Sequence, residues 1–302
     1  MDGGGRRPGC SFESAGGQIV FSAEVNQILL DGAQHAAGVR MQDGREIPAG
    51  IVISDAGARN TFGALLPPDA PGVSSALEEL TGLPPSKAHL CLYVGVRGTA
   101  AELGLTGTNL WVHPTPDHDA NWARFAQDPS APLPLLFISS PSAKDPDFER
   151  RHPHRGTLEV ITPVPYDWFA NWEDTRWKHR GQDYDEFKQN LADRLRHGLE
   201  EHVPEVRGKI EITELSTPLS TRHFMNYQRG EIYGVSAVPE RFRLRCLTPQ
   251  TAIRNLYLTG QDVCMLGVSG ALMGGVLAAS AVLGRNLMSV VTKPLRANKA
   301  AA

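Results

Sequence analysis

From Val263 to Gly284 the chain carries no charged residue, a run long enough to span a bilayer. Such a run folds either as a membrane helix or as a helix buried within the protein. Its apolar character is diluted by Gly267, Ser269, Gly270, Ala271, Gly274, Gly275, Ala278, Ala279 and Ser280. Small residues also line contacts between membrane helices, so composition alone does not decide. Context favours the buried helix. A β-like stretch, Ile253–Thr259, and a turn, Gly260–Asp262, lead straight into it, and only Arg285 flanks it closely. The spacing therefore predicts a strand, a turn and a helix over Gly267–Met288.

The rest of the chain of 302 residues divides around that unit. Residues 14–71 read as a β-meander: Gln18–Ser22, Glu24–Leu30, Gly38–Gln42 and Ile47–Ser54, with Asp31–Gly32 and Asp43–Gly44 as turns. Ile51–Val52–Ile53 is a continuous apolar run, as expected of a strand covered on both faces. Ala58–Leu66 follows as a short helix stopped by Pro67–Pro68. Residues 72–225 have another character, with apolar runs (His89–Val96, Leu110–His113, Leu135–Ser139, Thr157–Thr162) between proline-rich loops. Tyr184–His202 places Phe187, Leu191, Leu195 and Leu199 on one helical stripe. This stretch reads as a mixed-sheet lobe, and residues 226–292 return to alternating strand and helix. Residues 1–13 and 293–302 read as a disordered start and a tail. The expected class is α/β, in two lobes.

Composition excludes several functions. Apolar residues make up 41%, charged residues 21%, and the net charge is −3; the basic cluster Arg150–Arg155, with its two histidines, sits among prolines and reads as a solvated loop, so no nucleic-acid face is expected. Cys10, Cys91, Cys246 and Cys264 form no CxxC pair, so neither a metal site nor a disulfide framework is expected, and a reducing, cytoplasmic setting fits. The histidines form no metal-binding motif, and no serine-hydrolase elbow occurs.

The chemistry is concentrated in Asn255–Leu256–Tyr257–Leu258–Thr259–Gly260–Gln261–Asp262 and Gly267–Val268–Ser269–Gly270–Ala271–Leu272–Met273–Gly274–Gly275. A strand ends in a glycine, an acid follows, and a glycine-spaced helix begins. Free N–H groups and the helix dipole face whatever lies ahead of that helix. The same run reads equally well as a strand–helix unit whose small residues pack closely on a sheet.

The run resembles the C-terminal signature of the phytoene desaturase, carotenoid isomerase and retinol saturase group of amine-oxidase-like flavoproteins. The resemblance extends to Gly16–Gly17, Ala23–Glu24–Val25, Gly38–Val39, Asp43–Gly44 and Val52–Ile53–Ser54–Asp55–Ala56. It continues in Thr162–Pro163, Tyr166–Asp167–Trp168–Phe169, Arg180–Gly181–Gln182–Asp183–Tyr184 and Arg229–Gly230–Glu231–Ile232–Tyr233–Gly234, and so covers roughly residues 14–290. It implies an FAD-binding, glutathione-reductase-like Rossmann-type domain with a substrate lobe, moving hydride to or from an apolar polyene, retinoid or isoprenoid-like substrate. On that likeness Gly260 ends the flavin-side strand and Asp262 sits by the ribityl hydroxyls. Gly267, Val268, Ser269 and Gly270 turn backbone N–H groups toward a flavin edge, and Val25 meets the adenine. Tyr233 is the candidate polar group near the reacting carbons, with a packed tyrosine as the alternative reading. Tyr166, Trp168 and Phe169 would line the apolar substrate cavity or fill the lobe core. Peripheral membrane contact fits a bilayer-soluble substrate.

One departure stands out. The group opens with a βαβ unit carrying G-x-G-x-x-G, and none occurs here. The expectation is a truncated enzyme, or one half of a split enzyme that needs an N-terminal FAD-binding segment or subunit, with unpaired sheet edges where that unit would pack. The alternative is a non-catalytic fragment.

Overall fold

The computed structural model describes residues 13–292 and divides into two compact units. The glycine-rich start and the Ala/Lys tail lie outside the described residues. One unit joins the chain up to Gly82 with the chain from Phe242 onward; the other is Leu83–Arg241. These divisions fall later than the 71/72 and 225/226 boundaries read from sequence. A helix at Val73–Thr81 stays with the first unit because Glu79 Oε2 accepts from the N–H groups of Arg245 and Cys246. Glu231 stays with the second because it bridges to Ala88.

In the first unit β1 (Val25–Leu30), β2 (Ala36–Met41) and β3 (Glu46–Pro48) form an antiparallel sheet in that order. The first turn is longer than a two-residue Asp-Gly hairpin. Asp31 Oδ1 accepts from the N–H groups of both Ala33 and His35, and Gln34 takes a positive φ of 61°. Residues Gln18–Ser22 are not a strand. They find no ladder partner, and Phe21 is 83% exposed.

The expected strand Ile47–Ser54 is two strands in two sheets. Pro48, which has no N–H to donate, ends β3, and after Ala49–Gly50–Ile51 the chain enters β4 (Val52–Ser54). β4 pairs in parallel with β10 (Leu256–Leu258), Ile53 lying opposite Tyr257. It is not covered on both faces. Val52 and Ser54 point inward, whereas Ile51 and Ile53 are 46% and 50% exposed. β10 is shorter than expected because Asn255 takes φ 67° and Thr251 Oγ1 folds residues 251–256 into a turn. After β4, α1 (Ala58–Asn60) runs directly into a π-helical turn, Thr61–Leu65. The uncharged run forms a helix over Gly267–Leu283, ended by Gly284 in the left-handed region and not continued to Met288. Among the described residues no helix is long and apolar enough to cross a membrane.

The second unit is built on a sheet of order β6-β7-β8-β5-β9. Its long central pair is β5 (Ala88–Arg97) and β8 (Arg155–Val164), flanked by β6 (Leu110–Val112), β7 (Leu136–Ser139) and β9 (Ile210–Ser216). The 21-residue helix Gln182–His202 lays Leu191, Leu195 and Leu199 on one face of this sheet, against Leu92, Val94, Leu158 and Val160. That face is the core of the unit.

Candidate functional site

In the first unit the carboxyl ends of two parallel strands open onto a single spot. Past β4 come Asp55, Gly57 (φ 86°) and the start of α1; past β10 come Gly260 (φ 85°), Gln261 and Asp262. Thr259 N–H donates to Ser54 O at 3.0 Å, so the pairing carries on to the last residue before each turn. Asp262 is 5% exposed, and its Oδ2 accepts from Ala58 N–H at 2.8 Å. The carboxylate thus meets a helix start, where a negative charge is favoured. It also ties the β10 turn to the β4 turn.

Asp55 lies alongside. Burial and the nearby Asp262 charge both raise its carboxyl above the usual range, burial being the larger cause. A Cβ at Gly260 would stand 1.8 Å from Asp55 Oδ1 and displace that carboxylate, and the φ of 85° there is itself one that favours glycine. Two further glycines have the same kind of reason. A Cβ at Gly270 would stand 1.7 Å from Met265 O, and one at Gly274 would stand 2.2 Å from Gly260 O. One turn apart on the Gly267–Leu283 helix, they let its backbone lie directly on the 260–265 turn.

The start of that helix is open. Its N-cap residue, Leu266, offers no side-chain hydrogen bond, and helix geometry leaves the N–H groups of its first turn without intrahelical acceptors. Gly267 N–H donates to Gln261 Oε1 at 3.1 Å. Val268 is 79% exposed and Ser269 is exposed beside it, while Gly270 is buried. Gly260, Asp262, Gly267, Val268, Ser269 and Gly270 are therefore brought together around one helix N-terminus. Val25 is half-buried at the start of β1, opposite Met41. Asp55, Ala58 N–H and Gln261 belong to the same spot without having been singled out as site residues. The signal for Asp55 was present, as an acid immediately after an apolar strand, but only the parallel pairing brings it to Asp262.

The remaining candidates lie in the second unit. Phe169 is fully buried and Tyr166 nearly so; Trp168 packs edge-on against Phe125 at 4.8 Å between ring centroids. Tyr166 O–H donates to Glu173 Oε2 at 2.6 Å and accepts from Arg222 at 2.9 Å. Tyr166 and Phe169 belong to the core of the unit, and Trp168, partly buried, packs against it. Two cavities of this unit, of about 690 and 320 Å³, are lined by other residues, among them Val112, His113 and His197 in one and Trp177, Arg180 and Arg222 in the other. Tyr233 is 41% exposed, just past the bridge between Glu231 and Ala88. On the opposite face of the sheet β5 presents His89, Cys91 and Tyr93 in alternation, with Tyr93 exposed, and Trp111 is exposed on β6. Burial holds the His89 imidazole down to about 4, and its Nδ1 is enclosed without a hydrogen-bond partner. No group of three or more metal-ligating side chains occurs among the described residues.

No protein-family model matches the chain. It is 36% identical over 286 residues to an all-trans-retinol 13,14-reductase of Danio rerio, covering 91% of this chain and 47% of that protein. A second Danio rerio relative, described as an inactive all-trans-retinol 13,14-reductase, is 31% identical over 295 residues, again covering 91% and 47%. Prolycopene isomerases and a phytoene desaturase are more distant, at 28% and 29% identity. The chain spans about half the length of the curated relatives it matches. A solved putrescine oxidase variant superposes with a TM-score of 0.53 at 13% identity, covering 90% of this chain and 51% of that one. At that identity the likeness is one of fold, a mixed α/β fold shared with solved oxidoreductases.

Proposed function

Starting from a chain homologous to all-trans-retinol 13,14-reductases, prolycopene isomerases and phytoene desaturases, we propose that it is the flavin-closing half of an FAD-dependent oxidoreductase acting on an apolar polyene. The observation that carries this reading is the meeting of Asp262, Gly260 and a glycine-spaced helix N-terminus at the carboxyl ends of β4 and β10. Open α/β sheets bind ligands at that end of their strands. In this reading the first unit is a Rossmann-type FAD domain whose glycine-rich βαβ unit is supplied by polypeptide outside this sequence.

The residues present fit one edge of a flavin. The Val268 and Ser269 N–H groups offer donors where a ring carbonyl could sit, and the dipole behind them favours negative charge there. Asp262 holds the β10 turn against α1 and gives the site its acid. Val25 is assigned to the adenine end. Bound FAD would supply the hydride chemistry, while the protein binds, orients and excludes water. For the substrate, the open face of the second unit's sheet, with Tyr93 and Trp111, offers more apolar surface than Tyr166, Trp168 and Phe169, which fill the core. Tyr233, partly exposed, remains the assigned polar group. An apolar polyene partitions into bilayers, so peripheral membrane contact belongs to the same proposal.

The test is a visible spectrum. The chain is expected to purify nearly colourless alone, and to show flavin absorbance at about 450 nm when produced with the part of the Danio rerio reductase it does not match. Asp262→Ala should cut flavin retention in that complex at least about tenfold. A complex that never holds flavin would sink the reading. A second, non-catalytic reading is favoured by the relative described as inactive. It predicts a flavin-loaded complex that does not turn over retinoid or carotenoid.

A further inference from the structure

On the open face of the second unit's sheet, β5 turns His89, Cys91, Tyr93, Gly95 and Arg97 outward in alternation. Gly95 alone brings no side chain, and nothing in the backbone asks for that. Its φ lies outside the left-handed region, and a Cβ there would stand 3.5 Å from Ile212 Cβ, an ordinary contact. A glycine inside a strand weakens it, and one that neither conformation nor crowding requires marks a close approach by something else. The space it leaves is part of a third cavity of this unit, of about 290 Å³, walled by Phe148, His152, Arg155, Thr157, Glu211 and Ile212. Thr157 and Ile212 lie opposite Gly95 on the strands to either side, so the floor is three strands wide, about 10 Å across. The register of β9 against β5 slips between Gly95 and Val96. Neighbours in a regular strand face opposite ways, yet Glu211 and Ile212 both line the cavity, and the slip accounts for it. It also brings Glu211 into an ion pair with Arg155, so those two charges are matched within the wall.

We infer that this cavity is an end-group subsite, which takes a ring-sized, uncharged hydrocarbon terminus of the ligand on the open face and makes Gly95 a specificity-determining position. The assignment rests on the proposed function, which puts an apolar polyene on that face. Three observations select the occupant. An acyclic chain laid over a floor three strands wide leaves gaps on both sides, and a gap is lost contact, whereas a ring spans it. A charged end group would find Arg155 and Glu211 already taken by each other and would shed its water uncompensated. The volume lies at the lower limit of ligand pockets, which suits one end of a molecule and not the whole. Phe148, stacked on His152 at 4.9 Å between ring centroids, adds an aromatic wall from the short helix Phe148–Arg151.

The test compares two isoprenoid alcohols of equal carbon number on the full chain: all-trans-retinol, which ends in a trimethylcyclohexenyl ring, and geranylgeraniol, which ends in an acyclic dimethyl alkene. Retinol binding is read from its own fluorescence, and geranylgeraniol binding from competition against it. Retinol should bind at least about tenfold more tightly. Gly95→Leu fills the floor and should weaken retinol at least about tenfold while leaving geranylgeraniol within about twofold. Ile212→Trp narrows the cavity from a side chain that is 66% exposed, and should shift the preference in the same direction. Where Gly95→Leu loses the wild-type circular dichroism spectrum, Ile212→Trp decides. The assignment is overturned if the wild-type chain binds neither alcohol or both alike, or if the folded variants keep the wild-type preference. Flavin absorbance separates this outcome from the proposed function. A yellow complex without the preference refutes the subsite alone, and a preference for retinol in a chain whose complex never holds flavin refutes the flavin reading and leaves the subsite standing.

Discussion

Two side chains are held away from their ordinary protonation, in opposite senses. The Asp55 carboxyl is raised by burial and by Asp262, so its folded state binds a proton more readily than its unfolded state. That contribution is fully present below the unfolded value of 3.8 and is lost as pH rises through the folded one. At neutral pH the ionised Asp55 therefore costs stability beside Gly260. Asp55→Asn should raise the urea midpoint at pH 7, with the gain shrinking toward zero as pH is lowered below 3.8. A lower midpoint at pH 7 would show that the carboxylate is instead paired. The His89 imidazole is held down to about 4 from 6.5 by burial. Between those values the unfolded chain takes up a proton that the folded chain refuses, so stability falls as pH drops through that window, by up to about 3 kcal/mol. His89→Gln should flatten the slope of unfolding free energy between about pH 6.5 and 4 by roughly one proton. An unchanged slope would place the acid sensitivity elsewhere.

Elements whose periodicity is set by burial against one face were legible in the sequence, and elements set by long-range pairing were not. The helix carrying Leu191, Leu195 and Leu199 lies where the stripe placed it because that stripe is the core of its unit. Leu195→Ala should cost about 2–5 kcal/mol in urea unfolding, the range for emptying a closed aliphatic site. Gly274→Ala should be comparably disruptive for another reason, since its methyl would press on Gly260 O and push the helix off the turn. A change below about 0.5 kcal/mol would mean that the helix shifts freely there. The split of Ile47–Ser54 into two sheets depended on where β10 pairs, which Pro48 and Gly50 only hint at. Gln18–Ser22 has the apolar residues of a strand but no partner within reach of its main chain. The Gly260–Asp262 turn and the Gly267 helix start were readable because glycine and acid mark backbone geometry directly. The place of Asp55 was not, because nothing local joins residue 55 to residue 262.

On the scale of the whole molecule, each unit leaves apolar surface in water: Ile51, Ile53, Val268 and Leu272 in one, Tyr93, Trp111 and Ile212 in the other. With a net charge of only −3, little repulsion opposes contact between such surfaces, and patches of this kind mark sites of interaction. The free chain should therefore enhance the fluorescence of a hydrophobic dye such as anilinonaphthalene sulfonate although it is folded. Val268→Ser/Leu272→Ser removes the exposed apolar side chains beside the helix start and should lower that signal by roughly a third to a half. On the proposed function, a retinoid should compete for the part of the signal that arises at Tyr93 and Trp111. The order of these losses separates the surfaces. A dye signal that falls in the double serine variant but ignores retinoid would count against Tyr93 and Trp111 as the proposed substrate surface.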